Sequence, residues 1–156
     1  MIRLVPFSDT TDAEKKMILS WRNHGNVRRW MLNTGEISME EHLRFIQSLQ
    51  ERPDKSYFLV YEEQEALGVI DLCSITQHSA TIGLYANPTA IRPGAGSILM
   101  KALIDFATDV LQLKTLKAEV YSDNQRAKHL YEKFDFKETQ RMIHNNREMT
   151  CMERIK

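Results

Sequence analysis

The hydrophobic pattern changes period several times along the chain, and each change marks an element. Ile2 to Phe7 alternates apolar and polar positions, which predicts an opening strand, and Ser8-Asp9-Thr10 ends it. From Thr11 to His24 the apolar residues Met17, Ile18 and Trp21 recur at helical spacing, with Asp12 and Glu14 in the first turn. Gly25-Asn26 breaks that helix. Ser38-Met39-Glu40-Glu41 has the S-x-x-E form of a capping box and opens a helix carrying Leu43, Ile46 and Leu49, which Pro53-Asp54 stops. The middle of the chain predicts a meander: Tyr57 to Tyr61, a Glu63-Gln64 turn, Leu67 to Ile75, a Gln77-His78 turn, and Ala80 to Ala86. After an irregular stretch from Pro88 to Gly94, Ile98, Leu99, Leu103, Phe106 and Val110 predict one long amphipathic helix from about Gly96 to Leu111. Thr115 to Tyr121 reads as a strand and Asn124 to Lys133 as a short helix. Phe136 to Met142 and Glu148 to Ile155 read as two strands around an Asn145-Asn146 turn. The predicted order is β-α-α-β-β-β-α-β-α-β-β, a single α/β domain over residues 1–156 with a mixed sheet and no internal repeat.

Composition narrows the class. With 156 residues, 42% of them apolar and 27% charged, the chain predicts one soluble globular domain able to bury a single core. Lys and Arg number 21 and so do Asp and Glu, so the basic excess usual in nucleic-acid binders is missing. No apolar run approaches the roughly 20 residues that span a bilayer, and Met1 to Phe7 has no charged segment leading into a long apolar one, so neither membrane nor secretory signal is expected. Cys73 and Cys151 are far apart and share no ligand-like spacing with His24, His78, His129 or His144. No disulfide framework and no metal are expected, and a reduced, cytoplasmic setting fits best.

Two segments carry candidate chemistry. Gly94-Ala95-Gly96-Ser97 lies between a strand and a long helix, where glycines let backbone N–H groups approach an anion and the helix N-terminus adds partial positive charge. It is neither a Walker loop nor a dinucleotide fingerprint, and a simple glycine turn explains the residues equally well. In the second segment Asn124, Ala127 and Tyr131 share one helix face. The small Ala127 permits close approach by a ligand, and Tyr131 offers an O–H with an ordinary pKa of about 10. The plainer alternative makes Asn124 a helix cap and Tyr131 a core aromatic.

Together with the strand between them, these segments resemble the GNAT superfamily of acetyl-CoA-dependent N-acetyltransferases. The superfamily's Gln/Arg-x-x-Gly-x-Gly/Ala loop corresponds to Ile91-Arg92-Pro93-Gly94-Ala95-Gly96, with Ile91 at the leading position and the arginine displaced to Arg92. Its Asn-x-x-Ala-x-x-x-Tyr-x-x-x-Gly-Phe pattern matches at Asn124, Ala127, Tyr131 and Phe136, with Asp135 replacing glycine. Trp21-Arg22-Asn23-His24, Glu41-His42-Leu43-Arg44-Phe45-Ile46, Gly68-Val69-Ile70-Asp71 and Gly83-Leu84-Tyr85-Ala86-Asn87-Pro88 further resemble the N-acetyltransferases of bacterial pseudaminic acid biosynthesis, over roughly residues 15 to 136.

That resemblance implies a GNAT-type fold, a mixed central β-sheet flanked by helices, with acetyl-CoA as co-substrate and no metal. It implies coenzyme contacts from Leu84, Tyr85 and Ala86, from Arg92, Gly94, Ala95, Gly96 and Ser97, and from Asn124, Ala127 and Tyr131. Tyr131 would protonate the departing thiolate, and Glu119, acting through water, would relieve the attacking amine of its proton. Arg22, His42 and Tyr85 would contact a UDP-linked 4-amino-4,6-dideoxy sugar, acetylated at its 4-amino group on the way to a flagellin glycan. Plainer roles stand beside these: Glu119 in solvent, Arg22 paired on its own helix, His42 exposed in a first turn, Trp30 and Met31 filling the core, and Asp71 a strand-face polar residue without chemistry. Two other functions compete. One is acetylation of a protein N-terminus or another small amine. The other is a non-catalytic CoA-binding domain, favoured by Ile91 and opposed by Asn124, Tyr131 and both glycines. The last strand, Glu148 to Ile155, has two options, pairing with a second chain in a homodimer or closing within one.

Overall fold

The computed structural model describes all 156 residues. Seven strands form one sheet: β1 (Ile2–Pro6), β2 (Ser56–Glu62), β3 (Glu65–Cys73), β4 (Ser79–Ala86), β5 (Thr115–Tyr121), β6 (Lys137–His144) and β7 (Arg147–Ile155), in the order β1-β2-β3-β4-β5-β7-β6. All neighbours are antiparallel except β4 and β5. The helices are α1 (Asp12–Asn23), α2 (Gly25–Arg28), α3 (Met39–Ser48), α4 (Ala95–Asp105) and α5 (Gln125–Lys133).

Because side chains alternate along a strand, each central strand feeds two cores. Phe58, Val60, Ile70, Leu72 and Ile82 pack under Leu99, Met100 and Leu103 of α4 and Tyr131 of α5. Leu59 and Val69 pack on the opposite face against Ile18 and Trp21 of α1 and Ile46 of α3. Burial on both faces explains why β2 and β3 read as near-continuous apolar runs. Helix starts follow local chemistry. Ser38 and Glu41 complete a capping box, and so do Thr11 and Glu14. Asn145 and Asn146 take φ of 50° and 60°, the two left-handed residues that a tight hairpin turn needs.

Two expectations change and one open choice is decided. Gly25 does end α1, but His24 turns extended and its Nδ1 accepts the Asn26 N–H, starting the one-turn helix α2. The long helix is α-helical only to Asp105 and finishes as a π turn over Phe106–Val110. β7 is not an edge. It pairs with β5 on one side and β6 on the other within the same chain, which leaves the exposed β6 at one end of the sheet and β1 at the other as its edges.

Candidate active site

The parallel β4–β5 ladder is short: only Ser79, Ala80 and Thr81 pair, with Thr115, Leu116 and Lys117. Beyond that point β4 stays with β3 up to the Gly68–Ala86 pair, and β5 stays with β7 up to the Tyr121–Met149 pair. The sheet therefore opens like a V. Peptide direction alternates along an antiparallel strand, and the Asn87 N–H bonds to Leu67 O on β3. Gly83 and Tyr85 consequently direct their peptide groups to β3, while Leu84 and Ala86 direct theirs into the opening. Of the trio expected from the sequence, Leu84 and Ala86 offer backbone, and Tyr85 contributes its side chain on the α1 side. Gly68 makes this possible, because a Cβ there would lie 2.3 Å from Tyr85 O.

On the α4–α5 side the opening meets the start of α4. Gly94 takes φ 80° and caps the helix without a side-chain hydrogen bond, and the Gly96 and Ser97 N–H groups have no partner within the chain. These donors, together with the helix dipole, fit a pyrophosphate. The two glycines do different work. Gly94 requires its left-handed backbone, whereas Gly96 lets α5 approach, since a Cβ there would sit 3.3 Å from Leu130. Arg92 departs from expectation: it ion-pairs with Glu62 and with Glu65 (3.8 Å) at the β2–β3 turn, so its charge is spent at the end of the sheet. A cation missed by sequence reasoning stands nearer. Lys133 Nζ donates to Ser97 Oγ at 3.0 Å, bringing the last turn of α5 to the loop.

Asn124 caps α5, its Oδ1 accepting the Ala127 N–H at 3.2 Å. Tyr131 is buried, edge-on to Phe136 with 5.1 Å between ring centroids, and its hydroxyl makes no hydrogen bond within the chain. Core packing and a free hydroxyl are thus both true of one residue. Burial pushes the phenol above its ordinary range, and the charge of Asp71, on the other side of the opening, pushes it further.

The α1 side is built by the Trp21-Arg22-Asn23 run. Trp21 anchors in the core. Arg22 Nη2 donates to Asn33 O at 2.8 Å, and the Asn23 amide exchanges two 2.8 Å hydrogen bonds with the Ile37 backbone. The same segment reaches the far strands, where Tyr121 Oη donates to Met31 O and Asn145 Nδ2 to Leu32 O. Residues 29–37 therefore form a strap across the sheet. Arg22 Nη1 is buried with no partner, and burial lowers the arginine from its usual value, with the Tyr85 and Tyr57 hydroxyls close enough to act on it. Trp30 is flanked by Arg29 (5.0 Å) and Arg147 (5.5 Å), so its ring is engaged within the protein. Glu119 lies exposed on β5 beyond the last β4 pair, lining a groove of about 380 Å³ with Thr81, Lys117 and Cys151.

His42 does not reach this side. It is 5% exposed between α3 and α1, with Nε2 donating to Lys15 O at 2.9 Å, and burial lowers its pKa. The unfolded chain therefore binds a proton that the fold resists. Stability is full above the unfolded value of about 6.5 and is lost as pH falls below it, through the lowered folded value. Thermal melts at pH 7.5 and 5.5 should show a larger acid loss in the parent than in His42→Gln; equal losses would remove His42 as the cause.

A mixed sheet that parts between two parallel strands, with free backbone donors at the helix start beside the opening, fits an acyl-CoA-dependent N-acyltransferase. The chain belongs to the acetyltransferase (GNAT) family, whose family model matches residues 19–136. It is 41% identical to acetyltransferase PseH of Campylobacter jejuni over 136 residues, covering 87% of this chain and 85% of that one. The crystal structure of Campylobacter jejuni N-acetyltransferase PseH in complex with acetyl coenzyme A superposes with a TM-score of 0.82 at 32% identity, covering 99% of both chains. Spermidine N-acetyltransferase from Vibrio cholerae, in complex with CoA and spermine, shares the fold with a TM-score of 0.88 at 19% identity, covering 99% of this chain and 95% of that one. The protein is an acetyl-CoA-dependent N-acetyltransferase with acetyl-CoA as its co-substrate. No helix is long and apolar enough to cross a membrane.

Proposed function

We propose that the enzyme acetylates the 4-amino group of a UDP-linked 4-amino-4,6-dideoxy sugar, the N-acetylation step of pseudaminic acid biosynthesis, in the cytoplasm and in service of a flagellin glycan. The assignment rests on the 41% identity to acetyltransferase PseH along 87% of the chain. Arg22 supports it, because a buried guanidinium nitrogen without a partner suits an anionic, forked acceptor such as a diphosphate. In this scheme the N–H groups of Gly96 and Ser97 and the ammonium of Lys133 hold the coenzyme's pyrophosphate. The Leu84 and Ala86 peptides align the acetyl thioester and offer an N–H to the carbonyl oxygen as charge grows there. Tyr131 meets the sulfur, and Arg22 and Tyr85 orient the acceptor. A homodimer would join along β6, the exposed edge strand beside β7. The test compares kcat/KM for UDP-4-amino sugars, N-terminal peptides and polyamines. UDP-amino sugar should lead by at least about tenfold, the worth of one charge-assisted contact; a peptide or polyamine leading instead would overturn the assignment.

A further inference from the structure

Asp71 lies on β3, between Tyr57 of β2 and Gly83 of β4 in the same cross-strand row. Glycine at 83 leaves the space that its carboxylate fills: a Cβ there would stand 2.8 Å from Oδ2 and 3.0 Å from Oδ1. The carboxylate thus lies across β4, one residue before Leu84, whose peptide faces the opening. Its one hydrogen-bond partner is the Cys73 thiol at 3.8 Å, a weak contact, and it forms no ion pair. An acid placed this way, partly buried on the acceptor side of a transferase, lacks the ion pair that a structural carboxylate ordinarily has.

We propose that Asp71 is the proton acceptor for the substrate amine, and that it receives the substrate as its ammonium ion. The inference deepens the acceptor reading above and rests on it. The groups facing Asp71 are Tyr57 from β2, Cys73 from its own strand, Tyr85 from β4, Lys55 ahead of β2 and, through the opening, Tyr131 from α5. Arg22 of α1 adjoins the two tyrosines, and Glu119 of β5 stands on the far side of the opening. Burial pushes the Asp71 carboxyl up to about 6, partly offset by Cys73 and Lys55. It is then ionised at neutral pH yet basic enough to take a proton.

Asp71 takes one proton from the ammonium, which frees the nitrogen lone pair. Nitrogen bonds to the acetyl carbonyl carbon, and the C–S bond breaks with its electron pair on sulfur. A second proton leaves nitrogen as the amide forms and, through solvent, replaces the one that Tyr131 gives to sulfur, while Asp71 returns its own to water. One proton is released for each acetyl group moved.

Asp71→Asn keeps the size of the side chain and removes the base. In the parent, kcat/KM should rise through a midpoint near 6 as Asp71 ionises and fall above about 8 as the free amine loses its proton. In Asp71→Asn the inflection near 6 should vanish. Activity should then climb until about pH 8, because only neutral amine reacts, and at pH 7 it should be down by about 10²-fold. Unchanged acetyl-CoA affinity and melting temperature certify the variant's fold. A titration of the parent by 13C-carboxyl NMR should show an aspartate with a midpoint near 6. An inflection near 6 that persists in Asp71→Asn, one that disappears in Glu119→Gln instead, or a parent without a carboxyl titrating near 6 would each overturn the proposal. If the parent prefers a peptide or polyamine, the substrate assignment fails, and the same profile read on that amine still decides Asp71.

Discussion

Tyr131→Phe should lower the single-turnover rate of acetyl transfer by about 10²–10⁴, the usual worth of a positioned general acid, while leaving acetyl-CoA binding nearly unchanged. The ring and its edge contact with Phe136 survive the substitution, and the hydroxyl has no partner in the chain to strand. Stability should therefore move by no more than about 0.5 kcal/mol. The effect belongs in the chemical step, because the hydroxyl matters most once charge grows on sulfur. Burial and Asp71 keep the phenol protonated above its ordinary pKa of about 10, so the group remains a donor across the whole neutral range. An alkaline limb near pH 8 belongs to the amine and should persist in Tyr131→Phe. Single-turnover measurement separates chemistry from product release; a rate within about threefold of the parent, far short of the general-acid range, would remove Tyr131 from proton transfer.

Arg22→Ala should raise the KM for the sugar nucleotide by about ten- to a hundredfold, the worth of one charge-assisted contact, and leave that for acetyl-CoA nearly unchanged. The position makes a further, less usual prediction. A guanidinium nitrogen buried without a partner costs desolvation in the free enzyme. Losing it, even with the Nη2 bond to Asn33 O, should leave the melting temperature level or higher. A residue that lowers stability in the free protein and raises affinity for ligand is held for function. Arg22→Lys keeps the charge but not the fork, and should recover only part of the affinity. A fall in melting temperature with equal loss for both substrates would make Arg22 a structural clamp for the strap.

How far the sequence reaches is seen in particular residues. Ser38 with Glu41, Asn145-Asn146 and the apolar run Phe58-Leu59-Val60 place their elements because each signal is local: a cap, a turn and a strand buried on both faces. Gly94 belongs to the same kind, since its φ of 80° lies in the left-handed region that favours glycine. Side-chain direction is a different matter. Arg92 follows the glycine-loop pattern in sequence yet turns to Glu62 and Glu65, which lie on a hairpin thirty residues away. His42 opens a helix, but the register of α3 against α1 buries it. Asp71 looks like a solvent-facing strand residue until strand register sets it over Gly83. Isolated glycines at 68 and 83 inside strands were the available hint, since a glycine there marks close approach of something else. The strap over 29–37 carries no periodicity, so its anchoring by Arg22, Asn23 and Tyr121 emerges only from the fold.

In the proposed reaction an acetyl group held in the β4–β5 opening passes to the 4-nitrogen of a UDP-linked amino sugar presented from the α1 side. The most direct measurement uses acetyl-CoA labelled with 13C at the carbonyl, the UDP-linked 4-amino-4,6-dideoxy sugar as acceptor, and NMR of the isolated product. The labelled carbonyl should be coupled through an amide to the 4-position of the sugar, formed by the parent and nearly lost with Asp71→Asn and Tyr131→Phe. Label appearing only as free acetate, or on a peptide or polyamine nitrogen when these compete in the same tube, would contradict it.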